Sequence, residues 1–330
     1  MKGNICFEEI SAGAISPQMP YCKAIIVNVG NTRDILPHLQ ELHTSHDYKV
    51  FVVNITKSKL GVTLERCREA GAIAIVNCGK ELPEQSLWHP QSKYNGAAVL
   101  PGEECSNKEM LDLATEDPLA HSFSVIGYQG YRIDSATLVK LRKRYFEDMR
   151  LGAVRDDLTL TEPLVRESFH SFIDMRSVRY ADYPYSNSAN PNGLYAEELC
   201  TIARYIGMSC NLKSIFIYGQ EVEKSTLTVC NKLIAEVIWH ICEGISSNIC
   251  EDPDIEGNDT CFQKKMVSLG DDGQDISFTT SCNTGRWWME IPSKEGKTVY
   301  VPCSINDYKM ACSGEIPLRW LFFYQKYSLQ

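Results

Sequence analysis

The chain has 330 residues, 44% of them hydrophobic, enough for one large core or for a domain with an appendage. With 33 Lys and Arg against 42 Asp and Glu, its net charge of -9 excludes a general electrostatic attraction to nucleic acid or anionic membranes. No apolar run approaches the ~18 residues of a membrane span, and the opening Met-Lys-Gly-Asn-Ile-Cys lacks an apolar signal core.

Taken in chain order, strand-length apolar runs alternate with helical patterns. The strands expected are Lys23–Val29, Lys49–Val53, Ala72–Val76, Ser122–Gly127, Met149–Val154, Phe169–Ile173 and Ser214–Tyr218. Several are continuously apolar, as parallel strands covered on both faces are. Helices are expected over Asp34–His43, Gly61–Ala70, Lys108–Ala114, Ser135–Phe146, Ala196–Ile206 and Leu227–Ser246. Asp134 or Ser135 caps the fourth of these, and Ser225 or Thr226 the last. This rhythm predicts an α/β domain.

The character changes after Ser246, where a polar, turn-rich connector begins. Short strands follow at Phe262–Leu269, Asp275–Thr280, Trp287–Ile291 and Thr298–Pro302, then a helical end from Ile305 to Tyr327. Trp287, Trp288, Trp320, Phe322 and Phe323 supply its buried area. The expected organisation is an N-terminal segment over 1–20, the α/β domain over 21–248, and a C-terminal α+β extension over 249–330 packed on it.

None of the fourteen cysteines stands two or three residues from another, so no zinc ribbon or redox pair is visible. Cys200, Cys230 and Cys242 sit in apolar runs and read as reduced thiols packed as small hydrophobes, as in a cytoplasmic protein.

The most informative stretch is Phe169–Pro184. Asp174 ends an apolar run, and Arg176 stands two residues later, on the same face if the strand continues. A second carboxylate there would help to hold a metal; a guanidinium repels one. Together with Asn190–Ser209, Lys213–Gly219, Ile126-Gly-Tyr-Gln129 and Arg286–Pro292, this order resembles the arginase/ureohydrolase family, in particular its formimidoylglutamase-like branch. The resemblance runs over about residues 47–330. It implies a three-layer α/β/α fold with a central, mostly parallel sheet, and two manganese ions at the C-terminal strand ends.

Carried over residue by residue, the family's Gly-Gly-Asp-His-Ser motif falls on Asn54–Ser58, with Lys57 in place of the histidine. Its Asp-Ala-His-x-Asp motif falls on Asn77–Glu81, where Asn77 and Gly79 replace ligands and Glu81 keeps an acid. Its Asp-x-Asp motif falls on Asp174 and Arg176, and its later acidic residue falls near Gly219. Ammonium and guanidinium groups do not make a dication site. They pair instead with Asp174 and Glu81, in a cluster that would hold a small anion or zwitterion or be purely structural. The Gly-rich loop that precedes the family's first ligand motif is also missing.

The resulting expectation is a pseudoenzyme without cofactor or catalytic residues, acting as a binding, scaffold or regulatory protein. Its expected partners are a protein or a small zwitterion, with no nucleic acid and no membrane. The family's trimers and hexamers imply a homo-oligomer. The alternative is a manganese-dependent amidinohydrolase of the formimidoylglutamase type, with ligands from Asp182, Glu197 or His89. A third reading, hydrolysis by Cys78, needs a base within reach of its sulfur. Other features read structurally. His38, His43 and His46 do not share one helical face, and Glu197 and Glu198 suit the positive end of a helix.

Overall fold

The apolar runs of the first two-thirds of the chain become the strands of one sheet. The computed structural model describes residues 6–17, 19, 22–30, 35–43, 49–87, 92–104, 106–185, 190–220, 227–254, 261–269 and 275–329. The chain divides into two compact units, Met1–Asn248 and Ile249–Gln330.

In the first unit the elements run β1 (Cys6–Glu9), β2 (Cys22–Val29), α1 (Leu36–Gln40), β3 (Lys49–Ile55), α2 (Leu60–Glu69), β4 (Ile73–Asn77), β5 (Tyr94–Val99), α3 (Ser106–Glu116) and β6 (Ala120–Tyr128). They continue with α4 (Ser135–Lys143), β7 (Glu147–Arg150), α5 (Leu151–Asp156), α6 (Thr161–Val165), β8 (His170–Asp174), α7 (Ala196–Gly207), β9 (Ser214–Tyr218) and α8 (Leu227–Ser247). The strands form a nine-stranded sheet in the order β1-β3-β2-β4-β9-β8-β5-β6-β7, every pairing parallel.

Alternate residues of each strand feed two separate cores. Ile26, Val52, Ile75, Ile173 and Ile217 pack with α7 and α8 on one face. Val27, Val53, Val76, Phe172 and Phe216 pack with α2, α3 and α4 on the other. A sheet buried on both faces explains why its strands read as unbroken apolar runs. The architecture is the expected α/β/α arrangement.

Helices α7 and α8 touch where glycine faces glycine. A β-carbon on Gly244 would lie 2.9 Å from Gly207 Cα and collide with the Arg204 carbonyl. Gly244→Ala is therefore expected to destabilise the chain by about 1–3 kcal/mol through overpacking. The urea midpoint should fall with the slope unchanged; an unshifted midpoint would mean that the helices part freely.

Four expectations are corrected. The residues expected as strand Met149–Val154 are mostly helical, strand β7 ending at Arg150, because Leu151 and Val154 are buried at helical spacing. Residues Cys6–Glu9, placed in a separate N-terminal segment, form an edge strand parallel to β3, too short and acidic to show a pattern. The strand Tyr94–Val99 was not anticipated: Asn95, Gly96, Ala97 and Ala98 are weak strand formers. Gly96 is required there, since a β-carbon would sit 2.5 Å from the Phe123 ring. Finally, Arg176 lies not on the strand but in a short 3-10 turn over Met175–Ser177 that follows β8. Asp134 caps α4 by accepting from Ala136 N, while Ser225 and Thr226 lie outside the described residues.

The second unit pairs β10 (Phe262–Ser268), β11 (Asp275–Ser281), β12 (Trp287–Pro292) and β13 (Thr298–Cys303) as an antiparallel sheet in that order. Helices α9 (Ile305–Cys312) and α10 (Leu318–Tyr324) bury Ala311, Trp320 and Phe323 against Phe278, Met289 and Val301. Ser304 and Asp307 close a reciprocal cap at the start of α9.

Candidate functional site

The C-terminal edge of the parallel sheet is where open α/β folds place ligands. Its centre here is Asp174, at the end of β8 and fully buried. Arg176 turns back onto it. Asp174 Oδ1 accepts from the Arg176 backbone N–H at 3.0 Å and from Arg176 Nε at 2.8 Å. Oδ2 accepts from Arg176 Nη2 at 2.7 Å and from Asn107 Nδ2 at 2.8 Å. A carboxylate offers about four lone-pair positions, and all four are used.

The partners are themselves fixed. Asn107, in the first turn of α3, also donates to the Gly102 carbonyl at 2.9 Å and accepts from the Tyr218 hydroxyl at 2.6 Å. Burial, and secondarily the charge of Asp174, pushes the Tyr218 phenol well above its ordinary range, so it remains a neutral donor. Gly219 closes the other side with φ of +79°. A β-carbon there would collide with Asp174 Oδ1 and lie 3.1 Å from Arg176 Nε.

Beyond this pair, side-chain amides link neighbouring strands along the same edge. Gln220 Nε2 donates to Asn77 Oδ1 at 2.5 Å, Asn77 Nδ2 to Asn28 Oδ1 at 3.2 Å, and Asn28 Nδ2 to Asn54 Oδ1 at 2.9 Å. Asn54 Nδ2 then donates to Glu9 Oε1 at 2.8 Å. Every bond points the same way and the series ends on a carboxylate, so each amide polarises the next. One amide per strand suffices, because parallel strands stand about 4.8 Å apart.

The seven positions singled out in the sequence are distributed unevenly. Asp174, Arg176 and Gly219 are in contact. Asn77 and Gly79 are tied to the loop after β9, with Gln220 N donating to the Gly79 carbonyl at 3.0 Å. Lys57 and Glu81 are exposed and make no ion pair among the described residues. Lys57 follows β3, and β2, β4 and β9 separate that strand from β8. The expected four-charge cluster is thus a two-charge pair: Asp174 and Arg176 bond to each other, and three strands lie between the strand before Lys57 and β8.

Asn107, Tyr218, Asn28 and Gln220 were not anticipated as site residues. Asn28, Asn54 and Asn77 each stand at or next to the end of an apolar strand, which is a legible signal. Asn107 has none, since the strand before its helix went unread.

The remaining candidates are accounted for structurally. Asp182 accepts from Arg179 Nε at 2.9 Å and from Ala196 N at 3.2 Å, and the arginine holds its carboxyl below the usual range. Glu197 is exposed, and Glu198 accepts from Tyr195 N at 2.8 Å as a helix cap. His38 is partly buried on α1 and His43 exposed after it; His46 and His89 lie outside the described residues. Among the described residues, no three His, Cys, Asp or Glu side chains converge to hold a metal ion, and no helix is long and apolar enough to cross a membrane.

The Cys78 sulfur contacts the Val76 carbonyl at 3.5 Å, and no base is hydrogen-bonded to it among the described residues. Burial pushes its thiol far up, more than the nearby Lys57 lowers it. At pH 8 iodoacetamide should alkylate exposed Cys210, Cys282 and Cys312 well before Cys78. Peptide mapping checks this; early modification of Cys78 would restore the thiol-hydrolase reading.

The first unit is a parallel sheet wrapped by helices, with a buried aspartate at the C-terminal end of β8. It has the arginase/ureohydrolase fold. Among solved structures, formiminoglutamase of Trypanosoma cruzi with Mn2+ aligns at a TM-score of 0.56 and 14% identity, over 69% of this chain and 95% of that one. Formimidoylglutamase of Bacillus subtilis aligns at 0.56 and 13% identity, over 70% and 90%. An arginase-like protein of Trypanosoma brucei in an oxidized form aligns at 0.53 and 13% identity, over 74% and 97%. No protein-family model matches the sequence, and no curated protein is detectably similar to it.

Proposed function

We propose that this is an arginase-fold protein that has lost the two-metal centre and acts as a non-catalytic binding, scaffold or regulatory protein. The observation that carries this reading is the saturation of Asp174. Its four acceptor positions go to Arg176 and Asn107, leaving no lone pair for a cation. A guanidinium occupies the space beside it, and hard dications need carboxylate or imidazole donors there. The residues present therefore do not fit a manganese pair. The amide series beside it, Gln220, Asn77, Asn28 and Asn54, supplies neutral amides where hard dications favour carboxylate or imidazole. A protein partner or a small zwitterion is the proposed ligand class.

The alternative amidinohydrolase draws on the neighbours, which include a formiminoglutamase with Mn2+. It would need donors from Asp182, already held by Arg179, from exposed Glu197, or from His89. An assay of formimidoylglutamate hydrolysis after manganese incubation separates the two. The expected result is no turnover above the metal-only control. Turnover abolished both by chelator and by Asp174→Asn would overturn the proposal.

A further inference from the structure

The same sheet carries a concavity at the end opposite to Asp174. A cavity of about 420 Å³ lies between α2 and the N-terminal ends of β4, β8 and β9. That volume is within the range of small-molecule sites, ~300–1,000 Å³. It is remote from Asp174, which stands at the C-terminal edge.

The walls are built by sequence spacing. Gly61, Leu64, Glu65 and Arg68 fall on one face of α2 and border the cavity. Gly61 leaves the space open: a β-carbon there would already lie 3.2 Å from Leu87 Cδ2. Leu64, Leu87, Phe169 and Leu212 give the lining its apolar part, somewhat more than half of it. His170 is held inside it, its Nδ1 2.7 Å from Ser214 Oγ and its ring edge-on to Phe169 at 4.7 Å. A flat apolar body therefore meets leucine and aromatic walls and one fixed polar dyad.

The charges decide the ligand's sign. Among the described residues, the charged lining residues are Glu65, Arg68 and Lys213. Glu65 and Arg68 pair with each other, while exposed Lys213 makes no ion pair among the described residues. The described lining is thus net positive in a chain of net charge -9. We propose that this cavity binds a small amphipathic anion, an aromatic or branched apolar body carrying one acidic group that reaches Lys213.

The test is a fluorescence titration of the full chain with 8-anilinonaphthalene-1-sulfonate, which has that chemistry. Two variants are compared with wild type, Gly61→Leu to fill the space and Lys213→Glu to reverse the charge. Near-UV circular dichroism and melting curves confirm that each is folded. One saturable site is expected, weakened by about fivefold or more in each variant. Loss in Gly61→Leu alone overturns the anion assignment, and loss in Lys213→Glu alone overturns the cavity. No saturable binding, or equal affinity in all three proteins, overturns both.

Discussion

Replacing Arg176 by alanine is expected to destabilise the chain by about 3–5 kcal/mol, because a buried carboxylate is left without its countercharge. Asp174 is fully buried and Arg176 nearly so, so water does not reach the orphaned charge. Three of the four acceptor bonds of Asp174 come from Arg176, two of them from its guanidinium. The backbone bond and the Asn107 amide survive the substitution but are neutral donors. Since domains are stable by only about 5–15 kcal/mol, the variant should unfold at much lower urea. The double variant Asp174→Asn with Arg176→Met should recover most of the loss, as removing both charges is often nearly neutral. An Arg176→Ala cost below about 1 kcal/mol would show that the pair is solvated and the site open.

Gly219→Ala is the second large effect. A left-handed residue other than glycine costs about 1–2 kcal/mol, and this one also drives a methyl group into the Asp174 carboxylate. Gly71 supplies the control. Its φ of +66° is close to the +79° of Gly219, yet a β-carbon on it meets nothing within 4 Å. Gly71→Ala should show the backbone cost alone. Gly219→Ala should exceed it by about 2 kcal/mol or more, read from urea midpoints at constant slope. Equal losses would mean that the Asp174 carboxylate moves aside freely.

Most of the first sheet was legible because its strands are buried on both faces. Ser214–Tyr218 spans the residues its apolar run predicts, and β2, β3, β4 and β8 differ only at their ends. The strand that stayed hidden, Tyr94–Val99, mattered most for the site. Its Gly96 is demanded by the Phe123 ring, a contact between strands that no local pattern announces. The family's motifs put Lys57 and Glu81 beside Asp174, whereas the helix that follows this strand puts Asn107 there. Strand order is equally nonlocal: β9 lies between β4 and β8 although about 140 residues separate it from β4. The opposite charges of Asp174 and Arg176, two residues apart after an apolar run, were visible at once. That a turn, not a strand, brings them together was not.

The most direct measurement is the metal content of the purified full chain after incubation with excess manganese and desalting, by inductively coupled plasma mass spectrometry. With every acceptor position of Asp174 occupied, the account predicts no stoichiometric manganese. About two ions per chain, as in two-metal hydrolases, removable by chelator, would contradict it. The Asp174–Arg176 pair would then have to open to admit them.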